Sequence, residues 1–253
     1  MRALQPLVHC ITATVSMNIV ANGLLAAGAR PMMTETASDA PAMDSAASAL
    51  LINLGTLSTD GTAGIPPTVA AARGRGIPWV LDPAAIGLGP TRTALAKRLV
   101  TLAPAVVRAN ASEILSLGGL ARGGRGADSL ARPEEAGEEA SHLARLSGTV
   151  VACSGPRDLI TDGRHTAAVA GGTPLLTRVT GTGCLLGALT AACVSVAPAF
   201  DAAVAASMWL KRAGELAAAR TGRPGSFGVA LYDALDEVGE NPARFPAPEQ
   251  EES

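Results

Sequence analysis

The segment 179–187, Val-Thr-Gly-Thr-Gly-Cys-Leu-Leu-Gly, combines residue types that could bind an anion. Gly181 and Gly183 precede a long uncharged helical run, which predicts a turn with free backbone N–H groups at a helix N-terminus. Such an end attracts anions through its unpaired donors and the helix dipole. The pattern is neither a dinucleotide fingerprint nor a Walker A loop, because its third glycine comes late and no Lys-Ser/Thr follows. An ordinary tight turn before a buried helix is the alternative interpretation.

Cys184 lies in the first turn of that predicted helix. The helix dipole is expected to lower the pKa of a thiol there, and a thiolate could accept a proton from an alcohol. The alternative is a small buried side chain. Cys10, Cys153 and Cys193 have no such placement and are interpreted as core residues. Because no C-x-x-C pair is present and the chain has three histidines, the cysteines do not favour a zinc site.

A second polar group, Arg-Ala-Asn-Ala-Ser-Glu at 108–113, directly follows a predicted strand. The spacing places Asn110 and Glu113 on one side of a first helical turn, where the carboxylate could hold a magnesium ion through water. Arg108, at the end of the strand, could reach a phosphate. A helix cap with a solvated glutamate is the alternative interpretation.

Asp82 stands at the carboxyl end of another predicted strand, where it could orient a metal or a phosphate or merely end the strand. In open parallel sheets, ligands gather outside these strand ends. The three polar groups together therefore indicate an α/β enzyme that handles phosphate.

Short apolar runs alternate with alanine-rich segments of helical length, which predicts a doubly wound, largely parallel sheet. The predicted strands are 7–11, 49–54, 77–81, 105–107 and 149–153, and the predicted helices are about 16–28, 62–75, 91–102, 133–147, 183–196, 200–221 and 226–237. A hairpin is predicted from 158–161 and 165–169, which flank Asp162-Gly163.

The predicted organisation is a single domain over 1–236, with a surface loop at 118–132 and a flexible acidic tail at 237–253. With a net charge of −2, the chain does not favour a nucleic-acid surface. The uncharged stretches 3–29 and 179–200 are interrupted by polar residues or glycine, so neither is interpreted as a signal peptide or a membrane span. We expect a cytoplasmic protein.

Further motifs occur in order along almost the whole chain. Segment 6–12 (PLVHCIT) and segment 17–26 (MNIVANGLLA) begin the series, which continues at 28–33, 53–57, 81–83, 108–113, 161–163, 179–184 and 225–227. This series resembles the hydroxyethylthiazole kinases, a family of the ribokinase-like superfamily. The motif Thr-Gly-Thr-Gly-Cys is its most specific element, because other ribokinase-like enzymes generally carry Asp where this chain has Cys184.

The resemblance implies a three-layer αβα ribokinase-like fold with a central, largely parallel sheet. It implies ATP- and Mg²⁺-dependent phosphorylation of the alcohol of 4-methyl-5-(2-hydroxyethyl)thiazole in thiamine salvage, by a homotrimer. By motif, it assigns catalysis to Gly181, Thr182, Gly183 and Cys184, nucleotide binding to Arg108, Asn110 and Ser154, thiazole binding to Met33 and Gly181, and magnesium to Glu113 and Asp82.

Three residues depart from the family pattern. Cys10 and Ala13 replace polar residues, and Ser154 stands where Thr is usual. Ala13 lacks an amide that would face the thiazole, so a kinase for another small alcohol, such as a hydroxymethylpyrimidine, is an alternative. A catalytically idle ligand-binding homologue is a second alternative, which the presence of Arg108 and Glu113 disfavours.

Overall fold

A computed structural model describes residues 1–119 and 136–241 and the backbone of 250–252. Within these residues one sheet has nine strands in the order β2-β1-β3-β4-β5-β6-β7-β8-β9. Its strands are β1 (Leu7–Ile11), β2 (Arg30–Met32), β3 (Ala49–Asn53), β4 (Trp79–Asp82), β5 (Val106–Asn110), β6 (Val150–Ser154), β7 (Asp158–Thr161), β8 (His165–Val169) and β9 (Gln250–Glu252). Neighbouring strands from β2 to β6 are parallel, and β6 to β9 pair antiparallel.

Helices cover both faces of the sheet. They are α1 (Met17–Ala26), α2 (Ala40–Met43), α3 (Thr59–Arg75), α4 (Pro90–Val100), α5 (Ala111–Gly118), α6 (Gly137–Ser147), α7 (Thr182–Val194), α8 (Ala199–Arg220) and α9 (Pro224–Glu240). Local sequence sets their ends: α3 starts where the Ser58 hydroxyl accepts a hydrogen bond from the Gly61 N–H, and it stops at the left-handed Gly76.

Two apolar cores lie on opposite faces of the sheet. Alternate residues of β3 show the division, since Leu51 belongs to the core with α1, α7, α8 and α9, while Leu50 and Ile52 belong to the core with α3, α4, α5 and α6. Most of α7 is buried, which explains the absence of charge along it. Within the described residues, no helix is long and apolar enough to span a membrane.

The predicted three-layer fold is confirmed, with differences at particular elements. β5 extends through Asn110, so Arg108 and Asn110 lie within the strand. The sequence had predicted that they follow it. The short elements β2 and α2 were not predicted.

The chain end also differs from the prediction. α9 continues to Glu240, past the predicted start of the tail at 237, and the backbone of Gln250–Glu252 pairs with β8. Most of the predicted loop 118–132 lies outside the described residues, although Gly118 itself ends α5.

Candidate active site

The N-terminus of α7 has the turn that the glycine spacing predicts. Gly181 is the N-cap with φ 91°, and a Cβ there would lie 2.5 Å from Cγ2 of Ile19. Glycine is therefore required both by conformation and by space. The N–H groups of Thr182, Gly183 and Cys184 belong to the first helical turn, which has no preceding carbonyl groups to accept from them within the helix.

The Thr182 side chain supports this turn from behind. Its hydroxyl is buried and donates to the carbonyl oxygens of Leu176, at 2.7 Å, and Val179, at 3.3 Å. These bonds tie the preceding 3-10 turn (Pro174–Arg178) to the start of α7. Because the hydroxyl proton is committed to these carbonyl oxygens, Thr182 offers a bound group only its backbone N–H.

Arg108 joins three strand ends to this helix. Its Nη2 donates to Oγ of Ser154 at 2.8 Å, and its Nη1 donates to Oδ2 of Asp82 at 3.3 Å. A Cβ on Gly183 would lie 3.1 Å from Nη1, so the guanidinium rests against the first turn of α7. Burial opposes its charge, but Asp82 and Glu113 raise the pKa of Arg108 above its usual value. A fixed positive charge thus lies beside free backbone donors, which suits a phosphate group.

Asp82 is fully buried beneath this arginine. Burial raises the pKa of Asp82, although Arg108 and Asn53 act in the opposite direction. Its Oδ1 has no hydrogen-bond partner among the described residues. A buried carboxylate oxygen without a partner is costly, so this atom is suited to a cation or a water molecule that completes the site.

Glu113 bridges two backbone segments. Its Oε2 accepts from the N–H of Asn110 and its Oε1 from the N–H of Ala85, both at 2.8 Å. The Asn110 side chain accepts in return from the N–H of Glu113, which completes a capping box at α5. Glu113 is 3% exposed, so the alternative of a solvated glutamate is wrong, whereas that of a helix cap is confirmed. Burial, with the nearby Asp82 charge, raises the pKa of Glu113 to about 7.

Asp82 and Glu113 could hold a magnesium ion only together with waters and substrate phosphates. Over the described residues, no group of three or more His, Cys, Asp and Glu side chains could hold a metal ion by itself. Magnesium usually keeps several waters and uses one or two carboxylates together with substrate phosphates. Asp82 has the open oxygen for this role, while both Glu113 oxygens accept backbone N–H groups and can contribute through water or charge.

Cys184 is partly buried beside the end of β3. The Asn53 amide donates to its Sγ at 3.4 Å, while the nearby Ser16 hydroxyl donates to the Ala13 carbonyl. Burial, followed by the Asp82 charge, raises the pKa of Cys184 above its usual value, despite Ser16, Arg108 and Asn53. The predicted lowering of this pKa is wrong, because burial and the Asp82 charge outweigh the groups that lower the pKa. Asn53 and Ser16 were not predicted as site residues, although Asn53 occupies a strand end like Asp82.

Met33 lies in the loop after β2 and packs against the core that also contacts Cys184. The loop is anchored at two points: Nε2 of His9 contacts the Thr34 carbonyl at 2.7 Å, and the Ser58 hydroxyl donates to Glu35 at 2.8 Å. Of the predicted site residues, the structure thus groups the arginine, the two carboxylates, Ser154 and the α7 turn, and it places Met33 on a separate loop.

A family model described as the hydroxyethylthiazole kinase family matches residues 1–241. This chain belongs to the hydroxyethylthiazole kinase family. The hydroxyethylthiazole kinase of Cereibacter sphaeroides is 48% identical over 235 residues, covering 93% of this chain and 90% of that protein. The hydroxyethylthiazole kinase of Cronobacter sakazakii is 47% identical over 236 residues, covering 93% and 89%.

Solved structures give the same family and a wider fold group. The hydroxyethylthiazole kinase of Pyrococcus horikoshii superposes with a TM-score of 0.89 at 37% identity, covering all of this chain and 95% of that one. A Bacillus subtilis pyridoxal kinase has a TM-score of 0.61 at 16% identity, covering 82% of this chain and 90% of that one. The second likeness concerns the fold alone.

Proposed function

We propose that this chain transfers the γ-phosphoryl group of ATP to the alcohol of 4-methyl-5-(2-hydroxyethyl)thiazole, giving its phosphate for thiamine biosynthesis. One observation carries the proposal: the Arg108 guanidinium lies against the same first turn of α7 that presents Cys184. This contact supports a phosphate site next to a group able to contact an alcohol. The names of the family and of its relatives supply the identity of that alcohol.

Charge stabilisation at the α7 turn is the main catalytic contribution. Phosphoryl transfer passes through a loose transition state with charge spread over the phosphoryl oxygens, so positioned donors matter more than a strong base. The N–H groups of 182–184 and the Arg108 guanidinium supply such donors. Ser154 accepts from Arg108 and fixes the orientation of its guanidinium.

Cys184 orients the alcohol in this proposal and does not deprotonate it in advance. Its pKa is raised, so the thiol is neutral near pH 7. The Asn53 amide, which donates to the sulfur, fixes its position. The alcohol oxygen forms its bond to phosphorus as the bond to the ADP leaving group breaks, and the alcohol proton then passes to an oxygen of the transferred phosphoryl group or to water.

Magnesium bound with ATP would neutralise phosphate charge in this site. Asp82 would hold it through its open Oδ1, with Glu113 acting through water. We further propose Gly181 and Met33 as thiazole contacts, and Asn110 as the residue that orients Glu113 on the nucleotide side. A cytoplasmic homotrimer is proposed on the family resemblance.

A screen of acceptor alcohols tests the function. Purified protein is given ATP and magnesium with the hydroxyethylthiazole, a hydroxymethylpyrimidine or no acceptor, and ADP is measured. We expect kcat/KM for the thiazole to exceed that for the pyrimidine by about 100-fold or more, because a pocket with placed polar groups rejects mismatched rings. A higher kcat/KM for the pyrimidine than for the thiazole would show that the pyrimidine alcohol is the substrate. If the chain binds both ATP and the thiazole without turnover, it is a catalytically idle ligand-binding homologue.

A further inference from the structure

Lys211 has a buried ammonium group that the proposed reaction does not use. It lies in the middle of α8, its side chain is 8% exposed, and four oxygens surround its Nζ. Three are backbone carbonyl oxygens, of Gly155 and Pro156 at 3.1 Å and of Gly171 at 3.4 Å. The fourth is Oδ1 of Asp158 at 3.3 Å. The ammonium is therefore hydrogen-bonded mainly to backbone carbonyl oxygens, and these belong to two different loops.

The first loop follows Ser154 directly. Gly155 and Pro156 form the turn between β6 and β7, and the N–H of Gly155 donates to Oδ1 of Asp158 at 2.9 Å. Lys211 and Asp158 therefore hold both the N–H and the carbonyl of the residue after Ser154. Since Ser154 accepts from Arg108, the position of this turn determines where the arginine rests.

The second loop leads to the N-terminus of α7. Gly171 and Gly172 have φ of 97° and 89°, and a Cβ on Gly172 would lie 3.2 Å from Cγ of Lys211. One helical turn beyond Lys211, Glu215 accepts from the Gly172 N–H at 2.7 Å. The two glycines let this loop lie directly on α8, where Lys211 and Glu215 hold it. It continues into Pro174–Arg178, the 3-10 turn that Thr182 binds.

Burying a charged pair is expensive, and an apolar pair of similar size would be at least as stable. An apolar side chain could not bind three carbonyl oxygens from two loops, so the pair provides geometry that packing alone does not. The charge of Asp158 also acts on Arg108, whose pKa it helps to raise. The lysine and its partner are thus connected both by hydrogen bonds and by charge to the phosphate side of the site.

We propose that Lys211 is a positioning residue for ATP. It fixes the 155–156 turn and the 171–172 loop to α8, and so aligns Arg108 and the N-terminus of α7 with the phosphates. The inference rests on the proposed ATP-dependent reaction and assigns Lys211 no contact with the thiazole. Lys211 acts through Ser154 and Arg108 on one side and through the loop before α7 on the other.

Four variants test this inference. Lys211→Met removes the ammonium, and the double variant Lys211→Met/Asp158→Asn also removes the carboxylate charge that would be left unpaired in the interior. Lys97→Met makes the same change at the other lysine of the chain, which lies exposed on α4. Steady-state kinetics give KM for ATP and for the thiazole separately. Calorimetry gives the Kd of ATP without an acceptor, and thermal unfolding shows that each protein is folded.

We expect the Kd and the KM of ATP to rise about tenfold in both Lys211 variants, because the phosphate donors lose their alignment, while KM for the thiazole stays within about twofold. Lys97→Met should match the wild type. In Lys211→Ala, which leaves space at the site, millimolar methylammonium should restore ATP binding, whereas tetramethylammonium at equal ionic strength should not.

An ATP Kd equal to that of Lys97→Met in the folded double variant would overturn the positioning role. An equal rise in both KM values would also overturn it, since that result means general loosening. If the wild type binds ATP but does not phosphorylate the thiazole, the proposed function fails, and the calorimetric comparison still decides the role of Lys211.

Discussion

Three ionisable side chains lie together, largely buried, at the carboxyl ends of β4 and β5: those of Asp82, Arg108 and Glu113. Two carboxyl groups face one guanidinium, so with all three ionised the group carries one excess negative charge. Burial raises the pKa values of both Asp82 and Glu113, and the charge of Asp82 raises that of Glu113 further. In the proposed reaction a triphosphate would add further negative charge, which a cation held at Oδ1 of Asp82 would offset.

Substitution of Cys184 separates contact with substrate from packing. If the thiol orients the alcohol, Cys184→Ala should lower kcat by about 100-fold and leave the protein folded. Cys184→Asp should be more active than Cys184→Ala, because the Asn53 amide that donates to the sulfur can also donate to a carboxylate. Turnover and thermal midpoint are measured on both variants. Full activity of Cys184→Ala together with unfolding of Cys184→Asp would reduce the cysteine to a packing residue.

Glu113 should make stability depend on pH, with a sign set by its raised pKa. The carboxyl titrates at about 7 when folded and at 4.5 when unperturbed, so the folded chain holds the proton more tightly. The free energy of unfolding should therefore fall as pH rises from about 4.5 to about 7, by roughly 3 kcal/mol. Urea unfolding of metal-free wild type and Glu113→Gln across this range checks it. The variant should lack that part of the slope, and parallel curves would contradict the assignment.

Among the elements, the buried parallel strands were the most predictable. Such strands are near-continuous apolar runs, and β1, β3, β4 and β6 were found within a few residues of their ends. β5 was cut short because Arg108 and Asn110 end its apolar run, although the backbone continues to pair with β6. β2 has three residues including Pro31 at the sheet edge, so its strand conformation comes from pairing with β1 and leaves no periodic signal.

Within the candidate site, the grouping of residues at strand ends was predictable from the sequence, whereas properties that depend on burial were not. The grouping of Asp82, Arg108 and the α7 turn follows from parallel topology. The direction of the Cys184 pKa shift does not, because desolvation depends on tertiary packing. Lys211 carries no motif, since most of its acceptors are backbone carbonyls of residues 40 to 56 positions away.

The first turn of α7 should lose its proposed anion-binding function when the space beside Arg108 is filled by a side chain. Gly183 does not have a positive φ, so a larger residue is opposed by contact and not by backbone strain. A Cβ there already lies 3.1 Å from Nη1 of Arg108, and the branched side chain of Gly183→Val would displace the guanidinium. We expect kcat to fall by at least about 100-fold with the fold retained. Gly74→Val, on an exposed part of α3 with no atom within 4 Å of the new Cβ, is the control. Normal turnover of folded Gly183→Val would refute the anion site.

At the scale of the whole molecule, the acceptor and the phosphates of the proposed reaction are assigned to different strands of the sheet. Chain direction through the sheet reverses at β1, since β2 lies on one side of it and β3 to β6 follow on the other. Ligands in open α/β sheets collect at such a switch point, and Asn53, at the end of β3, holds Cys184 close to it. The arginine and carboxylates lie over β4 to β6. The α7 turn spans the two regions, so in the proposed reaction the acceptor would lie over β1 and β3 and the phosphates over β4 to β6.

An exposed stripe on α1 and the turn before it bears on the proposed trimer. Val15, Asn18, Asn22 and Leu25 are spaced by three or four residues, so they share one face, and all four are exposed. Val15 and Leu25 are apolar, which is unfavourable on a surface that faces water in the assembled protein. An intersubunit contact would remove this cost.

Sedimentation velocity tests the assembly and the face together. We expect the wild type to sediment as a particle three times the 25.3 kDa chain mass. Leu25→Asp should dissociate it, because Leu25 is 56% exposed in the single chain and a carboxylate buried at a contact without a partner is strongly unfavourable. Leu146→Asp introduces the same charge on α6 at a side chain 75% exposed and should remain trimeric. A monomeric wild type would refute the trimer. A trimeric Leu25→Asp would refute the α1 face and leave the trimer to another surface.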